Sequence, residues 1–294
     1  MDIRQLERFV AVAQIGSLNR AAEALAVSQP SLSRSLQLLE ESLEAPLFVR
    51  GARGVELTEH GHELLPRARL ILAERTRALE AVRAGAGKGR ETLAIGTDAS
   101  FAMQRLPRGL ALLAERFANL RVHVTEGPPG ALLERLREGD LDLVFGARGP
   151  MLDLEALTFE TLAMESAGVI LRADHPLASR THVRLSDLVG ERWIVPDHPV
   201  LLEGWRQLFA GEGLEEPPIA LRTSSLNLAK GCLLAGPYVS LGDAGSFAAE
   251  IAAGQLVSID FGLARYERPT GVFFRREGRR SLAQRALIEA LARG

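Results

Sequence analysis

The stretch from Ser17 to Leu47, SLNRAAEALAVSQPSLSRSLQLLEESLEAPL, constrains the fold of this chain more than any other. Ala21, Ala22 and Leu25 mark a short helix, and Leu32, Leu36, Leu39 and Leu43 recur at three- and four-residue spacing to mark a longer one. Only AVSQ joins the two. Ser28 has the hydroxyl that an N-cap needs, and Pro30 falls in the first turn, where a missing N–H costs nothing. Two helices across so tight a joint predict a helix-turn-helix.

With its leucines turned inward, the second helix turns Gln29, Ser31, Ser33, Arg34 and Gln37 outward near its N-terminal end. Arginine forks onto guanine, glutamine onto adenine, and serine reaches base edges or phosphate, so this face suits a major groove. An ordinary solvated amphipathic helix would show the same polarity. The next residues, PLFVRGARGVELT, read as strands LFVR and VEL around the turn GARG, a small wing with Arg50 and Arg53 at its tip. Beside a reading helix such arginines reach flanking phosphate or a minor groove. The predicted nucleic-acid set is Ser28, Gln29, Pro30, Ser31, Ser33, Arg34, Gln37, Arg50 and Arg53.

Ahead of this motif, Ile3, Leu6, Phe9, Val10 and Ala13 make a helical stripe that stops before Gly16. After it, Thr58 caps a helix reaching about Ala84, in which Leu65, Ala68, Leu72, Leu79 and Val82 form a heptad-like seam interrupted by Arg75. A seam with no neighbour in sequence predicts pairing with a second copy, the competing reading being a helix laid on its own domain's core. Pro66 is a candidate kink, and GAGKGR, residues 85–90, a hinge.

Strands and helices then alternate. TLAIG, RVHVTEG and LDLVFGA read as strands around helices at Met103–Phe117 and Ala131–Glu138, a βαβαβ order that predicts a parallel sheet. AGVILR, RWIVP, IALRT and YVSLG follow as strands, with helices from Val200 to Ala210 and from Ser225 to Ala235. GVFFRR and a helix from Leu282 to Ala292 return to complete the first sheet. Two α/β lobes joined by crossing strands leave a crevice, the usual seat of a small ligand.

Composition limits the alternatives. A net charge of −2 makes the chain no polycation, so nucleic-acid binding must rest on local charge. The one cysteine, Cys232, excludes an internal disulfide and cysteine-rich zinc sites. His60 and His62, two apart on a helix, face different ways and do not share a metal. No GxSxG, HExxH or CxxC is present, so neither a catalytic set, a metal nor a cofactor is expected. A charged start, MDIRQLERF, and the lack of a long apolar run suggest a cytoplasmic protein without a membrane partner.

Taken together, FVAVAQIGSLNRAAEALAVSQPSLSRSLQLLEESLEAPLFVRGARGVELTEHG resembles the LysR-type transcriptional regulators, with Ala21, Ala22, Leu25, Ser28, Gln29, Ser33, Leu39, Glu40, Leu43, Leu47, Phe48, Arg50, Leu57, Thr58 and Gly61 at that family's spacing. The resemblance implies an α/β chain with an N-terminal winged helix-turn-helix (residues 1–58), a linker helix and hinge (59–90) and a two-lobed effector domain like periplasmic binding proteins (91–294). Lobe one would hold about residues 91–162 and 268–294, and lobe two about 163–267. It implies promoter DNA, a small-molecule effector such as an organic acid, dimers through the linker helix, homotetramers, and RNA polymerase as partners. Two departures stand out: Glu44 replaces the glycine that usually closes the second helix, and Tyr238 replaces a glycine in GPYVSLG.

Similar regulators place a hydroxyl at the helix start after the first effector strand, where Ser100 falls, beside Phe101. A hydroxyl at the positive end of a helix favours an anion, and it equally makes a plain N-cap. Pro128 and Pro129 would give one wall an apolar character, and Pro196, His198, Thr223 and Ser225 would face the crevice from lobe two. The rival reading is a DNA-binding regulator without a small ligand that answers to a protein partner.

Overall fold

A computed structural model describes residues 1–51, 54–85, 91–149, 152–180, 182–197, 199–259, 267–278 and 280–293. The chain starts with α1 (Ile3–Ile15), α2 (Leu18–Ala24) and α3 (Gln29–Leu43), then the hairpin of β1 (Phe48–Gly51) and β2 (Gly54–Leu57), and then α4 (Glu59–Gly85). Each helix boundary has a local cause. Asp2 and Gln5 form a capping box on α1, Gly16 ends it at φ 68°, and Ser17 and Ser28 cap α2 and α3. Ala26 takes φ 53° in the joint between α2 and α3, and Glu44 closes α3 at φ 54°, the left-handed conformation a glycine would adopt at lower cost.

Beyond α4 come β3 (Glu91–Thr97), α5 (Ala99–Gln104), α6 (Leu106–Arg116), β4 (Leu120–Glu126), α7 (Pro129–Arg137), β5 (Leu143–Ala147), β6 (Leu157–Glu165), β7 (Ala167–Arg172) and β8 (Trp193–Pro196). They are followed by α8 (Pro199–Gly211), β9 (Ile219–Thr223), α9 (Leu226–Ala235), β10 (Val239–Asp243), α10 (Ala248–Ala252), β11 (Leu256–Ile259), β12 (Arg268–Arg275) and α11 (Leu282–Ala292). The single helix expected at Met103–Phe117 is two, because Pro107 cannot continue a helix begun at Ala99 and instead sits in the first turn of α6. One five-stranded sheet has the order β4-β3-β5-β12-β6, so GVFFRR returns to the first sheet as the sequence suggests. The other has the order β11-β7-β10-β8-β9. It is mixed: β8 runs parallel to β9 and β10, whereas β7 is antiparallel to β10 and β11.

The described residues form two compact units, one of residues 1–96, 116–144 and 274–284, the other of 97–115, 145–273 and 285–294. In the first, Leu6, Phe9, Val12, Leu32, Leu36, Leu39 and Leu47 make the core of the helical head. The wing is anchored to it by Phe48, whose ring lies 5.4 Å from that of Phe9, and by Val55 N–H donating to Gly16 O at 3.0 Å. Ala68 of α4 is fully buried in this core, with Leu64, Leu65 and Leu72 packed against it. The front half of the expected dimer seam is therefore spent inside the protomer, where α4 lies along α1. Arg75, the residue that interrupts the heptad, pairs with Glu7 of α1 at 2.8 Å.

The opposite side of α4 meets the loop between α7 and β5 in the same unit. Arg77 Nε stands 2.8 Å from Asp142 Oδ1, and its guanidinium also donates to Gly139 O. Arg69 pairs with Glu138, and Ala94 N–H donates to Asp142 Oδ2 at 2.8 Å. Arg275 donates to Leu136 O and Leu141 O at 2.8 and 2.7 Å and lies 3.6 Å from Glu74. Burial and the neighbouring Arg77 lower the Arg275 pKa from arginine's ordinary value, against the pull of Asp142 and Glu74.

In the second unit, alternate residues of β7 feed two cores. Val169 and Leu171 join Trp193, Trp205, Phe209 and Val239 on one face, while Ile170 joins Ile194, Leu233, Phe247 and Leu256 on the other. Burial on both faces explains why AGVILR is a continuous apolar run. Cys232 is half-buried beside the second of these cores. Tyr238 puts its ring beneath the Arg192 guanidinium, 5.3 Å from the ring centre.

Candidate functional site

The outward face of α3 is open. Ser28, Gln29, Pro30, Ser31, Arg34 and Gln37 are exposed and Ser33 is half-buried, while Leu32, Leu36 and Leu39 point into the core. Leu43, expected inside, is 37% exposed and lines a surface groove of about 240 Å³ with Ala45, Leu47, His60, Glu63, Leu64 and Arg67. Ser28 caps the helix, and Gln29, Arg34 and Gln37 are held by weak pairs along it. Gln29 Nε2 donates to Ser33 Oγ at 2.8 Å, Arg34 to Gln37 Oε1 at 3.2 Å, and Gln37 Nε2 to Glu41 Oε1 at 2.9 Å. Such surface pairs are worth about 0.2–0.5 kcal/mol each and yield readily to a base edge.

The wing pairs in register, Phe48 with Leu57 and Arg50 with Val55. The side chain of Arg50 and the whole of Arg53 lie outside the described residues. Glu40, a position the sequence reading left without a role, accepts from Leu47 N at 2.6 Å and Phe48 N at 3.2 Å, tying the far end of α3 to the wing. Thr58 donates to Pro46 O at 2.7 Å and accepts from Gly61 N at 3.0 Å, so it caps α4 as expected. Gly61 is needed because any Cβ there would collide with Leu47 O.

Ser100 is not the helix cap: Asp98 caps α5, accepting from Phe101 N at 2.8 Å and from Ala147 N at 3.0 Å. Phe101 is 1% exposed and stacks on Phe145 at 5.1 Å, so it is a core side chain rather than a pocket wall. Pro128 caps α7 without a side-chain hydrogen bond and Pro129 opens that helix. Pro196 ends β8, half-buried, and His198 lies outside the described residues. Thr223 Oγ1 accepts from Ser225 N at 3.0 Å, and Ser225 caps α9, accepting from Leu228 N at 3.2 Å.

Around Ser100 the structure assembles residues that sequence reasoning missed. Asp243, at the end of β10, accepts from Ser100 Oγ at 3.0 Å, from Gln104 Nε2 at 2.5 Å, and from Ser246 N and Oγ at 2.9 and 2.7 Å. Glu165, at the end of β6, pairs through Oε2 with Arg268 at 3.2 Å, and its buried Oε1 has no hydrogen-bond partner. Burial, with Asp243 and Asp98 nearby, raises the Glu165 pKa above the usual carboxylate value against the opposing pull of Arg268. The pattern DAGS, an acid followed three residues later by serine, was the available sign that Asp243 caps a turn.

Comparison with known proteins agrees with this geometry. The family profile described as the LysR substrate binding domain matches residues 86–294, and the bacterial regulatory helix-turn-helix profile of the lysR family matches residues 3–62. The chain is 34% identical over 263 residues to the small neutral protease regulatory protein of Streptomyces coelicolor, covering 88% of this chain and 73% of that one. It is 28% identical over 293 residues to the transcriptional regulator PcaQ of Agrobacterium fabrum, covering 99% of this chain and 94% of that one. The crystal structure of full-length CbnR complexed with its target DNA superposes with a TM-score of 0.67 at 26% identity, over 100% of this chain and 99% of that one. An exposed reading helix, a wing braced on the helical head and these matches along the whole chain make it a member of the LysR family of DNA-binding transcriptional regulators.

Proposed function

We propose that this regulator reads promoter DNA with α3 and the wing, and that a small molecule held by the effector domain alters that binding or the bend it imposes. What carries the reading is the α3 face, where Gln29, Arg34 and Gln37 are exposed and held by weak pairs along the helix. CbnR, the similar protein solved with its target DNA, supports the same use of the head here. Arg34→Ala should weaken specific promoter binding by about 1–3 kcal/mol without disturbing the fold, because a bidentate arginine contact discriminates bases by that amount. Footprinting and circular dichroism of the variant test this, and an unchanged footprint would remove Arg34 from the readout.

The active species in this reading is a homodimer, paired again into tetramers, acting on transcription by RNA polymerase and catalysing no reaction itself. Ile71, Leu79 and Val82 are 38%, 46% and 73% exposed and share one side of α4, turned away from the side that holds Arg69, Ala73 and Arg77. Leu79 and Val82 of the seam with Ile71 beside them, rather than Leu65, Ala68 and Leu72, are the surface for a second copy. Leu79→Glu combined with Val82→Glu should convert the protein to monomers at micromolar concentration in light scattering, whereas Leu65, already packed in the head, offers no such handle. Among the described residues no helix is long and apolar enough to cross a membrane.

A further inference from the structure

We propose that Asp243 is a tethered ligand: the protein's own carboxylate fills the donor niche of Ser100, Gln104 and Ser246, and so keeps free carboxylates out of it. Four donors converge on one carboxylate that is 8% exposed: the Ser100 hydroxyl, the Gln104 amide, and the backbone N–H and hydroxyl of Ser246. The Gln104 amide also reaches Ser100 Oγ at 2.9 Å and Ser246 Oγ at 3.3 Å. The two hydroxyls, the side-chain amide and the Ser246 N–H that could receive an incoming anion here are therefore already engaged.

Charge points the same way. The hydrogen-bond donors that Asp243 meets among the described residues are all neutral. Asp98 spends its carboxylate on the N–H groups of Phe101 and Ala147, and the Arg268 guanidinium is committed to Glu165. A second carboxylate set beside Asp243 would face Glu165 and Asp98 as well, and like charges in one small site do not both stay ionised. The contact is also shaped to be close, since a Cβ on Gly245 would strike the Gln104 amide oxygen. Asp243 thus determines specificity, and an effector that reaches this niche does so without a carboxylate. This deepens the effector reading above and rests on it for what the niche is for.

The test uses the full-length protein and sodium acetate, with sodium chloride at equal ionic strength as control. Asp243→Ala should unfold at a lower temperature than the wild type, and acetate should restore its midpoint saturably while chloride does not. The wild type should shift no more in acetate than in chloride. If Asp243→Ala folds poorly, acetate present during refolding should raise the folded fraction. Asp243→Asn, which keeps the niche filled, should ignore acetate. Adding Ser100→Ala to Asp243→Ala should weaken the acetate response by at least about fivefold, as loss of a hydrogen bond to a charged group does. The proposal is overturned if acetate leaves Asp243→Ala unchanged, or stabilises wild type or Asp243→Asn as strongly. No DNA or natural effector enters this assay, so its failure speaks against the niche alone. Loss of the effector reading would show separately, as promoter binding that no small molecule alters.

Discussion

Replacing Trp193 with alanine should lower the stability of the unit that contains it by about 3–5 kcal/mol, the range for truncating a buried large aromatic. Trp193 is fully buried and meets the rings of Trp205 and Phe209 edge-on, each at 5.5 Å. Its indole N–H donates to Leu188 O at 3.1 Å, so the truncation also strands a carbonyl. Trp205 differs in one respect that sharpens the test: its buried indole nitrogen has no hydrogen-bond partner. Trp205→Phe should therefore cost less than Trp193→Phe. Only two tryptophans are present, so in Trp193→Ala the fluorescence of Trp205 alone reports unfolding in denaturant. A midpoint within experimental scatter of wild type would mean that this aromatic cluster is not the core of its sheet.

Asp142→Ala should cost about 2–4 kcal/mol, somewhat less than a fully buried broken ion pair because Arg77 keeps some contact with water. Side-chain exposure is 5% for Asp142 and 25% for Arg77. Removing the carboxylate leaves Ala94 N–H without its side-chain acceptor and leaves two guanidinium groups, Arg77 and Arg275, close together with only Glu74 between them. Asp142→Asn retains the acceptor for Ala94 and should recover part of the loss. Native-state hydrogen exchange is the informative measurement, because the expected change is faster exchange along α4 past Arg69. Unchanged protection there would show that α4 does not depend on this contact.

The head was legible in the sequence because its signals are local. Caps at Ser17, Ser28 and Thr58, the leucine spacing of α3 and the glycine at 16 each act within a turn or two of themselves. The buried strand AGVILR was equally plain, and so was the half-solvated IALRT. What escaped notice was marginal or distant. β6 buries only its two end residues and shows no alternation, and β11 is four residues long, so neither carries a clear apolar pattern. The seam of α4 misled because a periodic stripe shows that a surface is covered without showing what covers it, and here α1 covers its first half. The Ser100 site was only half visible, since its other half, Asp243 and Ser246, lies more than a hundred residues away.

The ties between α4 and the turn at Glu138–Asp142 bear on how regulators of this kind can be recombined. A chimaera joined within residues 85–90 would look natural from the sequence, yet it would present Arg69 and Arg77 to a foreign surface. A transplant that keeps its register must bring Glu138, Gly139, Asp142 and Arg275 along with the helix, so the transferable module is set by charge partners and not by the peptide connection.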